Sequence, residues 1–208
     1  MLFADDLGQW YAQNQAFVAG LDEAGRGPLA GPVVAAAVVL DSTFPISNLN
    51  DSKKLSEKKR EQLFQPIYDQ ALAVGVAVVS PKRIDEINIL NASLEAMKLA
   101  FEEAEKIYGK RLIGALVDGN QRAPLSKNVR QWTVIKGDSL WPAIMAASIV
   151  AKVHRDRLML AACEQYPGYG FEQHKGYGTA SHLKALQEKG PCPIHRRSFA
   201  PVNTYAAL

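Results

Sequence analysis

FVAGLDEAGRGPLAGPVVAAAVVL, residues 17–40, is the stretch whose reading decides the fold. Residues 17–21 and 32–40 are apolar runs of strand length, rich enough in Val and Ala to be buried. The gap between them is short, so the two strands are expected to pair antiparallel. That gap holds Asp22, Glu23, Gly25, Arg26 and Gly27. Glycine turns commonly cradle phosphates, whereas acids repel them. The turn is neither GxGxxG nor a Walker loop, because no Gly-Lys-Ser/Thr follows and no helical pattern begins there. Two readings stay open. One is a tight hairpin turn. The other is a bare backbone that approaches a ligand closely, with Arg26 on a phosphate.

Working outward, residues 57–71 place Leu63, Phe64, Ile67, Tyr68 and Ala71 on one helical face behind Ser56 as N-cap, with Pro66 set against the pattern. Residues 73–80 read as a third strand. Residues 91–108 repeat apolar positions at helical spacing until Gly109 stops them. A fourth strand ends at Asp118, and a short fifth lies in residues 131–138. The strongest helix follows, with Asp138 at its start and Pro142 in its first turn. A further helix is expected over 179–189. The order of elements predicts an α/β fold with a mixed sheet and helices on its faces. One domain spanning 1–208 is expected, residues 164–208 forming a helical, basic C-terminal extension.

Asp22, Glu23 and Asp118 stand where strands end, and Asp138 stands just past another. Strand ends beside glycines are where open sheets place chemistry. If the first and fourth strands are neighbours, several carboxylates share one rim and repel one another. A divalent cation relieves that repulsion, and an all-oxygen donor set selects Mg²⁺ or Mn²⁺ over zinc. Two points weigh against this. Adjacent strand residues face opposite ways, so Asp22 and Glu23 reach one site only if the strand has begun to turn. Asp138 also reads as a helix N-cap.

The net charge of +3 is too small to argue for nucleic acid in bulk, so local clusters carry that case. DSKKLSEKKR (51–60), with Lys53 and Lys54, reads either as a phosphate track or as a solvated helix face. HKGYGT (174–179) and HRRSF (195–199) interleave basic and aromatic residues, a mixture that suits stacking plus phosphate contact. Tyr177 taken singly also reads as partial core. Cys163 and Cys192 match no zinc spacing and read as reduced thiols of a cytoplasmic protein. There is no signal-peptide pattern and no apolar run long enough to span a bilayer, so no membrane partner is expected.

AGLDEAGRGPLAGPVV, LNDSKKLSEKKR, DEINILNAS, VDGN, KGD, AASIVAKVHRD, YGFEQHKGYGT and HRRSFAPV occur in that order over about residues 17–202. Together they closely resemble bacterial ribonuclease HII. The resemblance implies a ribonuclease H-like fold: a five-stranded mixed sheet flanked by helices, with a helical C-terminal extension. It implies an endonuclease that hydrolyses the RNA strand of RNA–DNA hybrids. It also implies nicking 5′ of single ribonucleotides in duplex DNA, leaving 3′-hydroxyl and 5′-phosphate ends, as in ribonucleotide excision. Asp22, Glu23, Asp118 and Asp138 match the acids that hold Mg²⁺ or Mn²⁺ and catalyse. Gly25, Arg26 and Gly27 match the turn that senses the ribose 2′-hydroxyl. Tyr177 matches the tyrosine that packs on the following sugar. Lys53, Lys54, Arg196 and Arg197 match phosphate contacts. Residues 1–16 are too few for the extra N-terminal domain of the related ribonuclease HIII. VNTYAAL (202–208) lacks the paired aromatics of a sliding-clamp motif, and a monomer is expected. Two rivals predict other behaviour. A non-catalytic duplex-binding module needs the basic patches but not the acids. A nucleotide-binding α/β enzyme needs affinity for nucleotide without metal-dependent cleavage.

Overall fold

The computed structural model describes residues 2–41, 43, 49, 52 and 55–205. Five strands, β1 (Val18–Ala24), β2 (Val33–Val39), β3 (Ala73–Val79), β4 (Gly114–Asp118) and β5 (Arg130–Val134), form one sheet in the order β3-β2-β1-β4-β5. β2 runs antiparallel to both β1 and β3, while β1, β4 and β5 are parallel. The first and fourth strands are therefore neighbours, and both point their C-terminal ends at one edge.

Every residue of β2 is buried, which explains its unbroken apolar run. Alternate residues serve opposite layers. Ala35 and Ala37 join Leu21, Ala96, Ala100 and Phe101 under α3 (Pro81–Tyr108). Ala36 and Val38 join Phe64 and Ile67 of α2 (Glu57–Gln70) and Ala147 and Val150 of α4 (Pro142–Gln165). α4 lies directly on β1, because a Cβ at Gly20 would strike the main chain of Ala143. Alanines on facing elements allow this close layering, and filling it with larger side chains would cost about 1–3 kcal/mol per site.

Helix ends follow local chemistry. The Ser56 hydroxyl accepts from the Lys59 N–H at 3.2 Å and caps α2. α2 runs through Pro66, whose missing N–H falls on an exposed turn where water can serve the freed carbonyl. α3 starts ten residues before the apolar period predicts. It is two segments meeting at Asn88, whose φ of 68° breaks the pattern. The Asn88 side chain then accepts from the Asn91 N–H at 3.0 Å, starting the second segment where the periodicity begins.

Two further differences from the sequence reading are local. α1 (Leu2–Asn14) occupies a stretch to which no element was assigned. It caps the β5 edge through Trp10, whose ring lies 4.4 Å from that of Trp132, and Tyr11, 5.1 Å from Trp141. Asp138 does not start the long helix and is not its N-cap. Lys136 is left-handed, residues Gly137–Ser139 form a separate 3-10 turn, and Trp141 precedes Pro142 as the cap. Beyond α4, α5 (Phe171–His174), α6 (Ala180–Lys189) and α7 (Val202–Tyr205) form the C-terminal extension. No described helix is long and apolar enough to cross a membrane.

Candidate active site

The C-terminal ends of β1 and β4 and the 3-10 turn after β5 converge. One carboxylate oxygen from each of Asp22, Asp118 and Asp138 lies within 4.8 Å of the others. Asp22 and Asp138 are buried, and Asp118 is partly so. Burial raises the Asp22 carboxyl well above its ordinary value, and the charges of Glu23 and Asp118 push it further. A Ser148 hydroxyl pulls the other way. Three oxygen donors this close, with the mutual repulsion of Asp22, Glu23 and Asp118 unrelieved by a counter-charge, fit a hard divalent cation.

Glu23 is outside this tight trio. Strand alternation turns it toward the α3 side, where its Oε1 accepts from Arg26 Nη1 at 3.3 Å. It still lines the same cleft as Asp22 and Asp118. The conflict raised by two adjacent acids is thus resolved by division: Asp22 faces the trio, and Glu23 stands at the rim.

The cleft has a volume of about 350 Å³, and its other wall is Gly25, Arg26, Gly27 and Tyr177. Gly25 has φ 103°, and a Cβ there would strike the side chain of Arg155, so only glycine fits. Gly27 is different. A Cβ there would meet only the Tyr177 ring, at 3.6 Å, so its bare Cα lies open to the cleft. Tyr177 is 44% exposed, which sets aside the partial-core reading. A larger depression of about 500 Å³ lies at the far end of α3, between Phe101, Lys106, Arg111 and Val129. The acid trio is elsewhere.

Two arginines hold the turn from behind. Arg155 of α4 donates to the carbonyls of Pro32 at 3.1 Å and Ala30 at 3.2 Å. Arg196 donates to Gly31 at 3.0 Å, to Arg26 at 2.9 Å, and to Gly25 and Pro32. The phosphate contact expected of Arg196 is corrected here, because its side chain is fully buried and its donors are engaged by main chain. Burial and the nearby charge of Arg155 push Arg196 down to about 9, which leaves it charged at neutral pH. Arg197 is also away from the acids. It lines a separate depression with Lys82, Asp85 and Glu86, and its N–H donates to Asp85 at 2.8 Å. Lys53 and Lys54 lie outside the described residues.

Ser52, Ser148 and Lys152 line the cleft and were missed by the sequence reading. Lys152 is paired with Asp156 one turn on, and burial lowers its pKa. The signal was present: Ser148, Lys152 and Arg155 recur at i, i+4 and i+7, a polar stripe along one face of the helix.

A five-stranded mixed sheet with carboxylates gathered at the ends of its neighbouring strands β1 and β4 is the ribonuclease H-like architecture, the fold class of a metal-dependent nuclease. The chain belongs to the ribonuclease HII family, endonucleases of RNA–DNA hybrids: the model of that family, Ribonuclease HII, matches residues 19–202. A Ribonuclease HII of Burkholderia mallei (strain SAVP1) is 55% identical over 187 residues, covering 89% of this chain and 84% of that one. Among solved structures, the ribonuclease H2 of Pyrococcus horikoshii OT3 matches with a TM-score of 0.75 and 28% identity, over 91% of this chain and 97% of that one. The RNase HII solved in a PCNA:RNase HII complex from Archaeoglobus fulgidus matches with a TM-score of 0.71 and 29% identity, over 88% and 95%. Bst-RNase HIII in complex with Mn²⁺ shares the fold at a TM-score of 0.71 and 15% identity, over 94% of this chain and 71% of that one.

Proposed function

We propose that this protein cuts the RNA strand of RNA–DNA hybrids. We further propose that it nicks duplex DNA 5′ of a single embedded ribonucleotide, leaving 3′-hydroxyl and 5′-phosphate ends, and so serves ribonucleotide excision. The observation that carries this reading is the placement of Asp22, Asp118 and Asp138 within 4.8 Å of one another, with Asp22 and Asp118 lining the same cleft as Gly27 and Tyr177. Asp22, Asp118 and Asp138 are the groups that would hold Mg²⁺ or Mn²⁺, with Glu23 completing the set at the rim. When bound, two such ions supply the charge that activates the attacking water and stabilises the leaving 3′ oxygen.

The remaining work falls to the chain itself. Gly25, Arg26 and Gly27 present bare backbone to the ribose, whose 2′-hydroxyl separates RNA from DNA. The open Cα of Gly27 lets a sugar approach where a side chain would bar it. Tyr177 offers a half-exposed ring at the same wall for packing on the next sugar. Lys152 adds a positive group beside the acids, aimed by Asp156. Lys53, Lys54 and the exposed Arg197 remain candidates for outer phosphates.

The relative from Archaeoglobus fulgidus was solved with PCNA. Here Tyr205 packs on the cluster of Leu29, Leu186 and Val202, and we read this chain as a monomer acting without that contact. A labelled DNA duplex with one internal ribonucleotide tests the reading, in Mg²⁺ or Mn²⁺, against an all-DNA duplex. A metal-dependent nick immediately 5′ of the ribonucleotide is the expected result. No cleavage, or equal cleavage of both duplexes, overturns it.

A further inference from the structure

Three of the chain's histidines, His174, His182 and His195, are buried together around Phe171 in the C-terminal extension, away from the acids. Their hydrogen bonds fix every proton. The Cys192 N–H can only donate, and it meets His195 Nδ1 at 3.0 Å. The neutral His195 proton is therefore on Nε2. That nitrogen is 3.1 Å from His182 Nε2, which must accept, leaving the His182 proton on Nδ1. Nδ1 lies 2.9 Å from the carbonyl oxygen of Tyr177, which can only accept. The two ends of the chain demand the same tautomers independently. His174 is settled likewise. Its Nδ1 accepts from the Gly176 N–H at 3.2 Å, and its Nε2 donates to the Tyr169 carbonyl at 2.8 Å. The His174 ring stacks on that of His182 at 4.4 Å.

We propose that His182 and His195 are positioning residues for Tyr177. The relay Cys192 N–H to His195 to His182 to Tyr177 C=O sets where the tyrosine ring stands over Gly27, and hence the preference for an RNA–DNA junction. The proposal rests on the reading of Tyr177 given above. The relay ends on the main chain of the residue it places, and the neighbouring turn is held too: the Leu29 N–H donates to the Gly176 carbonyl at 2.8 Å. A single added proton would set N–H against N–H at one joint. The groups facing the relay are Tyr169, His174, Cys192 and Arg197, with Lys82, Asp85 and Glu86 around the outer rim of His195. Burial, with the neighbouring histidines and Arg197, holds His195 down to about 4, and burial also lowers His182, so both rings are neutral at physiological pH.

The test compares His182→Asn with His182→Gln. Asparagine puts an N–H donor where Nδ1 stood and keeps the Tyr177 bond. Glutamine reaches the Nε2 position and keeps only the His195 end. Each loses one buried partner, so loss of stability alone predicts equal effects. The readout is the ratio of kcat/KM on a duplex with one ribonucleotide to that on a uniform hybrid, with Tyr177→Ala as control. We expect Asn to keep the ratio and Gln to lower it about tenfold, the scale of one hydrogen bond. Equal ratios for Asn and Gln overturn the proposal. So does a ratio lowered by Tyr177→Ala but not by Gln. A ratio unmoved by Tyr177→Ala overturns the junction reading itself, and the proposal with it. Nitrogen-15 NMR of the wild-type protein at neutral pH stands apart from activity and folding of variants. It should show His182 protonated at Nδ1 and His195 at Nε2, and any other pattern refutes the relay.

Discussion

The guanidinium of Arg196 donates to the carbonyl of Arg26 across 2.9 Å, joining the C-terminal extension to the turn at the cleft wall. The same side chain also serves Gly25 and Gly31. A lysine brings donors on a single atom and cannot span these carbonyls. Arg196→Lys is therefore expected to lose about 2–3 kcal/mol in urea unfolding, because hydrogen bonds to a buried charge go unmade. Cleavage at single ribonucleotides should fall along with it. Wild-type unfolding and cleavage in this variant would mean that the turn holds its own shape.

Removing one acid should separate binding from turnover. Asp118→Asn keeps the shape of the β4 end while taking away one negative charge from beside Asp22. The variant is expected to fold, to bind an RNA–DNA hybrid in a gel-shift assay, and to cut at least about 10³-fold more slowly, the upper range for loss of one electrostatic group. Full activity in Mg²⁺ would remove Asp118 from the site.

Metal should relieve the charge repulsion that raises Asp22. Its carboxyl is raised above the ordinary value, so without metal it contributes most stability below the unfolded carboxylate value of about 3.9. That contribution is lost as pH rises through the raised folded value. A divalent cation supplies the missing positive charge, so the rise in melting temperature caused by Mg²⁺ over EDTA should grow as pH is raised above about 3.9, the unfolded carboxylate value. A Mg²⁺ effect independent of pH, or retained in Asp22→Asn, would contradict this.

Acid should also loosen the C-terminal extension. His195 titrates near 4 in the folded chain, against about 6.5 when unfolded, so the neutral ring's contribution is complete above 6.5. It is lost as pH falls from 6.5 toward 4, because the unfolded chain takes up the proton first. Amide exchange across residues 174–196 is expected to quicken over that window relative to β2. Uniform exchange in both segments would place the acid-sensitive group elsewhere.

The strands and the long helix were legible because burial imposes a period on the sequence. β2 must be apolar on both faces, and Ser56 announces α2 three residues before the N–H it caps. What escaped depends on where a side chain's partners come from. Arg196 and Arg197 look alike as a charged pair, yet one is fully buried on carbonyls of residues 25–32 and the other is exposed beside Asp85. Sequence reports charge, not burial. Asp138 looked like a helix cap because the break at Lys136 is a backbone conformation that its residue type does not advertise. The acids could be expected to share a rim from strand adjacency, but the division between Asp22 and Glu23 needed the register of β1.

The two glycines of the turn should fail in different ways. At Gly25 an added methyl meets the Arg155 side chain and the carbonyl of Pro32, and φ of 103° is strained for alanine. Gly25→Ala is expected to lose about 1–3 kcal/mol of stability from backbone strain, with further loss as Arg155 is displaced. At Gly27 the methyl would stand 3.6 Å from the Tyr177 ring, an ordinary contact. Gly27→Ala should therefore melt within a degree or two of wild type, as surface changes of under about 0.5 kcal/mol do. Its methyl instead occupies the space a sugar would take, so cleavage at a single ribonucleotide should drop at least about tenfold. Equal melting temperatures for the two variants, or full cleavage by Gly27→Ala, would mean that one glycine shapes the turn no more than the other guards the cleft.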